Sequence, residues 1–248
     1  MKLVVDTHTH TISSGHAYST IQENAIEAGN KGIEAIAMTD HAPSMIGAPT
    51  YVHFWNMDII PDYIRGVRII KGAEANIIDY CGKLDVPDEI LRRMEFVNAS
   101  FHDITIKPAT VEEHTSAMIN AIKNPMVDAI AHPGNPVFQV DIDAVVRAAA
   151  EYGKLIEINN NSFNIRKGCS DNCLEFVKKC KKYGVRVTCG SDAHICYDIG
   201  SFGHIMKLLD EADMPEELVI CTAIEKIEEF IEYRKAFKKA LHKKSNQV

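Results

Sequence analysis

Short apolar runs recur along this chain, and nearly every one of them stops at a histidine, a carboxylate or an asparagine. The runs are Leu3-Val4-Val5, Ile33 to Met38, Val67 to Ile70, Phe96 to Ser100, Val127 to Ala131, Leu155 to Ile158 and Val185 to Thr188. Being short, rich in β-branched residues and almost continuously hydrophobic, they read as parallel strands covered on both faces. At or just past their ends stand Asp6-Thr7-His8-Thr9-His10, Thr39-Asp40-His41, Gly72-Ala73-Glu74, Ser100-Phe101-His102, Ala131-His132-Pro133, Asn159-Asn160-Asn161 and Gly190-Ser191-Asp192-Ala193-His194. In a βα barrel the C-terminal ends of all strands converge on one mouth, so residues scattered from 8 to 194 would meet there.

Amphipathic stretches with helix signals separate the runs. Ser19-Thr20-Ile21-Gln22 reads as a capping box, with Gly29 and Gly32 closing the helix that it opens. Thr110-Val111-Glu112-Glu113 opens another, ended by Pro125, and Asp141 to Tyr152 and Asp171 to Tyr183 run into Gly153 and Gly184. Thr222-Ala223-Ile224-Glu225 opens the last. About seven βα units without a Pro/Gly/Ser-rich linker favour one α/β barrel over an open doubly wound sheet. A length of 248 residues suits such a barrel as well as it suits two small domains.

Composition narrows the function classes. With 46% hydrophobic and 25% charged residues the chain is an ordinary globular protein, and no apolar run is long enough to span a bilayer. A net charge of −7 disfavours general affinity for nucleic acid or anionic membranes. The basic cluster from Arg234 to Lys244 reads as a solvated helix end whose charge complements the helix dipole. Seven cysteines without a C-x-x-C pair argue against a disulfide framework, and Cys169, Cys173 and Cys180 read as packing thiols on one helical face. The N-terminus enters a strand pattern at once, leaving no room for a signal peptide, so a cytoplasmic location is expected.

His8 and His10 lie two apart on an extended segment, as do Asp192 and His194, so each pair faces one side. Asp6 falls on the same side and is expected to hold a ring N–H of a ligand histidine. Imidazole and carboxylate without thiolate suit zinc, manganese or iron in a hydrolytic site. A lone histidine is more often a satisfied core or surface residue, but a series of them at successive strand ends is a metal pattern. His114 and His242 fall outside it and read as structural or solvated; His53 and His204 also lie outside it.

The D-T-H-T-H, T-D-H, G-A-E, S-F-H, A-H-P-G and G-S-D-A-H motifs, in this order from residue 6 to 194, resemble the metal motifs of the PHP (polymerase and histidinol phosphatase) superfamily. With the stretch Glu157-Ile158-Asn159-Asn160-Asn161-Ser162-Phe163 they look most like its YcdX-like phosphatase branch. The resemblance implies a distorted (βα)7 TIM-like barrel, one domain over residues 1–248, and three divalent metals, zinc first, with manganese or iron as alternatives. One metal would be held by His8, His10, Glu74 and Asp192, a second by Glu74, His102 and His132, a third by His16, His41 and His194. Glu74 is then the bridge, and Glu74 and Asp192 the catalytic carboxylates. His16 rests on the resemblance rather than on spacing, because it lies in the loop Ser13-Ser14-Gly15-His16.

Such a cluster performs hydrolysis by a metal-bound hydroxide, and three cations suit a phosphoryl group, whose oxygens can bridge them. The expectation is a phosphatase acting on small phosphomonoesters, with no membrane or nucleic-acid partner and with a homo-oligomer left open. Arg166 and Lys167 are candidate phosphate contacts. The long irregular segment from Pro43 to Trp55 is a candidate substrate wall or lid, or a loop packed for closure, with His53 its candidate contact to the site. The alternatives are a phosphodiesterase or exonuclease of the same superfamily, an amidohydrolase, and a metal-binding protein without turnover.

Overall fold

A computed structural model describes residues 1–245, and the side chains of 1–241. Among these residues eight strands form the sheet: β1 (Val5–Thr9), β2 (Ala35–Met38), β3 (Tyr63–Ile64), β4 (Val67–Asn76), β5 (Phe96–Ser100), β6 (Ala129–Ile130), β7 (Leu155–Asn159) and β8 (Val187–Gly190). All but β3 are parallel in the order β1-β2-β4-β5-β6-β7-β8. Between β1 and β8 the sheet closes at its C-terminal end, where Asp192 N–H donates to His8 O (2.8 Å) and His10 N–H to Ala193 O (2.9 Å). The result is the expected distorted (βα)7 barrel.

Two differences from the sequence reading concern the strands. β4 continues six residues past Ile70, because Gly72 lets it pass Phe96 O, which a Cβ there would approach to 2.5 Å. β3 is a two-residue antiparallel hairpin arm too short for periodicity to register; its turn, Arg65-Gly66, has φ of 54° and 83°, as a tight primed hairpin turn requires.

Around the barrel run α1 (Ile21–Asn30), α2 (Tyr51–Trp55), α3 (Asp88–Leu91), α4 (Val111–Lys123), α5 (Ile142–Tyr152), α6 (Ser162–Ile165), α7 (Ser170–Tyr183), α8 (Gly203–Glu211) and α9 (Ile224–Ser245). The capping box of α1 lies one residue later than expected, at Thr20 and Glu23, because Ser19 is buried and its hydroxyl accepts from Cys196 N–H. Thr110 with Glu113 caps α4 as expected, and Gly153 and Gly184 end α5 and α7 in the left-handed conformation. No helix of the described residues is long and apolar enough to cross a membrane.

The basic cluster of α9 is only partly the solvated end expected. Arg234 and Lys238 are buried and grip Asp128, itself buried just before β6: Arg234 Nε lies 2.6 Å from Oδ1 and Lys238 Nζ 2.8 Å from Oδ2. Asp128 also accepts from Val97 N–H, so the group locks α9 to β5 and β6 at the N-terminal end of the barrel. The side chains of His242, Lys243 and Lys244 lie outside the described residues. Removing Asp128 leaves both buried cations without their carboxylate, so Asp128→Asn is expected to cost about 3–5 kcal/mol, seen as a lower urea midpoint at unchanged m.

Candidate metal centre

The centre sits where β1, β4 and β8 end. Glu74 points inward from β4 and is ringed by imidazoles. Its Oε2 lies 3.4 Å from His8 Nε2, 3.7 Å from His10 Nε2 and 2.6 Å from His41 Nδ1. Its Oε1 lies 3.3 Å from His102 Nε2 and 2.8 Å from His132 Nε2. Asp192 Oδ1 stands 3.2 Å from His10 Nε2 and 3.7 Å from His8 Nε2. His16, half in solvent on its loop, stacks on His41 at 5.0 Å and lies tilted 4.6 Å from His194, ring centre to ring centre. All nine residues of the expected ligand set therefore converge.

Several of these atoms have nothing to bond. His8 Nε2, His41 Nδ1, Glu74 Oε2 and His194 Nε2 are buried without a hydrogen-bond partner; His41 and Glu74 approach closely but without hydrogen-bond alignment. Orphaned buried polar atoms are costly and call for an unseen ion or water. Donors around a four-coordinate zinc stand about 3.3 Å apart, close to the separations of His8 and His10 from Glu74 and Asp192. Among the described residues three mutually close triplets stand out: His8, His10 and Glu74; His41, Glu74 and His102; His10, His41 and His194. The donor set fits divalent cations.

The electrostatics favour the metal-binding form at several ligands but not at His8, where burial is outweighed by Glu157, Glu74 and Asp192, which raise its pKa well above the usual imidazole value. Burial would raise the pKa of Glu74, but His102, His41 and His8 hold it well below the usual carboxylate range. Asp192, also buried, is held down by His8, His10 and Arg166. Burial, with His41 and His194 adding to it, lowers His10 to about 3, and burial with Arg166 lowers His132 to about 4. Ionised carboxylates and neutral imidazoles are the forms that bind metal. His132 (φ 33°) and Asp192 (φ 57°) also hold the left-handed backbone that non-glycine residues rarely adopt, a strain of about 1–3 kcal/mol each that clusters at functional sites.

Supporting groups orient the rings. Glu157, inward-facing on β7, lies 2.7 Å from His8 Nδ1, and its other oxygen accepts from His132 N–H at 2.7 Å. Gly190 is required here, since a Cβ would stand 2.3 Å from Glu157 Oε1 and 2.4 Å from His8 Cβ. Asn76 Oδ1 holds His102 Nδ1 at 2.8 Å, and Ser14 Oγ meets His10 Nδ1 at 3.0 Å. Asp40 fastens the loop that carries His16, accepting from Thr11 N–H, Thr11 Oγ1 and Ser14 Oγ.

Glu157 has no part in the expected ligand set, though a glutamate inside the apolar run Leu155-Ile156-Glu157-Ile158 is itself a signal, because a buried charge needs a partner. Glu157→Gln keeps the shape and loses the charge that fixes His8. It is expected to weaken metal affinity about 10–100-fold in competition with a chromophoric chelator.

Asp6 does not hold a ring. Its carboxylate accepts from Ser191 N–H and Gly200 N–H, tying β1 to the segment after β8. Above the cluster lies a cavity of about 300 Å³ whose walls include His16, Met45, Asn161, Ile165 and Arg166. Arg166 reaches in, with Nη1 donating to Ser162 Oγ and lying 3.5 Å from Asp192 Oδ2. Lys167 is exposed and absent from the described lining. His53 is absent from it too: it turns to buried Asp40, Nε2 to Oδ2 3.2 Å, so the Pro43–Trp55 segment contributes Met45 to the cavity and packs Phe54 into the core. His114 is structural, accepting from Ala109 N–H and donating to Gln139 O; His204 stacks on Phe163. Cys169 and Cys180 are buried, Cys173 half-buried, and all three are free thiols.

A parallel barrel with a histidine and carboxylate cluster at its C-terminal mouth defines a metal-centre protein of the hydrolytic barrel class. The profile of the PHP domain matches residues 6–247, and the chain belongs to that family. It is 62% identical over 235 residues to a probable phosphatase of Acetivibrio thermocellus, covering 95% of this chain and 98% of that one. A probable phosphatase of Caldanaerobacter subterraneus subsp. tengcongensis is 51% identical over 237 residues, covering 95% and 93%. Among solved structures, the histidinol phosphate phosphatase of Lactococcus lactis subsp. lactis, complexed with zinc, L-histidinol and phosphate, shares the fold. Its TM-score is 0.64 at 19% identity, over 87% of this chain and 95% of that one.

Proposed function

We propose that this chain is a metal-dependent phosphatase that hydrolyses small phosphomonoesters. The observation that carries the reading is one ionised carboxylate, Glu74, within 3.7 Å of five imidazoles, two of which, His41 and His102, line a cavity whose wall carries an arginine. His8, His10, Glu74 and Asp192 would hold one cation, Glu74, His102 and His132 a second, and His16, His41 and His194 a third. Such cations, zinc first, polarise phosphoryl oxygens and make water a nucleophile near neutral pH. The chain's own groups do the rest. Arg166 offers a forked donor set to the phosphate from the cavity wall. Asp192, held by Asn159 Nδ2 at 3.2 Å and kept ionised by its neighbour Arg166, would orient the attacking water by accepting its hydrogen bond.

Names of relatives and an acidic chain both support monoesters over nucleic acid as substrate. The test compares a panel of phosphomonoesters with short oligonucleotides at matched metal. Faster phosphate release from the monoesters is expected; faster cleavage of oligonucleotides would make the chain a phosphodiesterase.

A further inference from the structure

Within the cavity, the groups that are not candidate ligands are few and chemically lopsided. Arg166 is the only permanently cationic side chain among the described residues lining it, Asn161 is the one neutral polar group, and Met45 and Ile165 are apolar. The loops that build the mouth continue in the same vein. Ile12 and Tyr18 follow β1, Ile46 follows β2, Ile104 follows β5, Ile165 follows β7 and Tyr197 follows β8. Each lines the cavity or lies within four residues of a side chain that does.

They are not marginally exposed: Ile46 is 73%, Tyr18 75%, Tyr197 69% and Ile165 62% accessible. A single exposed isoleucine is ordinary, but exposed apolar side chains on five of the loops that follow the strands, with Ile165 in the cavity wall itself, mark a surface that a ligand covers. Ile165 and Met45 stand in the cavity wall beside Arg166, so that ligand is read as whatever is attached to the phosphate.

Resting on the phosphatase reading, we propose that the preferred substrates are phosphomonoesters with one phosphate and an apolar leaving group, seated against Met45, Ile165 and the isoleucines and tyrosines of the rim. A second phosphate would find no further cation among the described residues lining the cavity, Arg166 being engaged with the first and the exposed Lys167 lying outside that lining. A sugar would set unpaired hydroxyls against apolar walls, which costs binding. A lipid-like or aromatic group instead removes exposed apolar surface from water on both sides.

The test uses primary alkyl phosphates, so that leaving-group chemistry is matched. With the metal-loaded full chain, n-hexyl phosphate is expected to show kcat/KM at least about tenfold above glucose 6-phosphate and hexane-1,6-diyl bisphosphate. Heptylphosphonate, which cannot be hydrolysed, is expected to bind at least about tenfold more tightly than methylphosphonate in calorimetry. Ile165→Asn, at an exposed position where folding is not at risk, should shrink both ratios severalfold. Equal or reversed preferences, in turnover or in phosphonate binding, overturn the apolar rim while leaving the phosphatase reading intact. No hydrolysis of any monoester removes both.

Discussion

Glu74→Ala is expected to abolish turnover and to lower bound metal by more than one cation per chain. Both oxygens of this carboxylate face imidazoles, Oε2 toward His8, His10 and His41 and Oε1 toward His102 and His132. Truncation therefore removes the only anion common to two of the three proposed cation positions, leaving cations at close range without the charge that screens them from each other. The loss of activity should exceed the roughly 10–100-fold that removal of an outer partner such as Glu157 costs. Glu74→Gln separates charge from shape: it keeps the packing at the floor of the barrel and should lose metal nearly as completely. A Glu74→Ala protein with full metal content and near-normal turnover would exclude the bridging role.

Removing metal from the intact chain is the second large effect. The bare cluster keeps buried His8, His41, Glu74 and His194 atoms without hydrogen-bond partners, a cost the folded state carries until cations bind. Ligands that bind only the folded state stabilise it by mass action, about 4 kcal/mol at a thousandfold excess over Kd. For a chain of this size that corresponds to a Tm lower by on the order of 10 °C after exhaustive chelation. Activity should vanish in parallel and return when zinc, manganese or iron is restored. An unchanged Tm with retained activity would mean that the cluster does not hold metal.

Much of this arrangement is legible in the sequence. A run of β-branched residues followed by a histidine or carboxylate, repeated along the chain, is what a parallel barrel with a site at its mouth requires, and the barrel geometry then says which distant residues meet. Periodicity gives the side of a strand, not the partner across it. Asp6 shows the limit: it faces inward like His8, but its carboxylate meets the backbone N–H groups of Ser191 and Gly200, which no spacing within β1 could reveal. Arg234 and Lys238 show another, since a basic run at a helix end looks solvated until Asp128 is found beneath it.

The loops are the least legible part. Ser13 to His16 and Pro43 to Trp55 carry no periodicity, and their positions are set by contacts between them. A Cβ on Gly15 would lie 2.4 Å from Gly47 O, and Asp40 joins Ser14 to His53. That network brings His16 to His41 and His194, and takes His53 away from the cavity.

The most direct measurement is the metal content of protein purified without chelator, determined by plasma mass spectrometry on the same preparation assayed for phosphate release from monoesters. A trinuclear phosphatase gives between two and three divalent cations per chain, with turnover rising in proportion to loading. Well under two per chain, with no activity regained on adding zinc, manganese or iron, would contradict it.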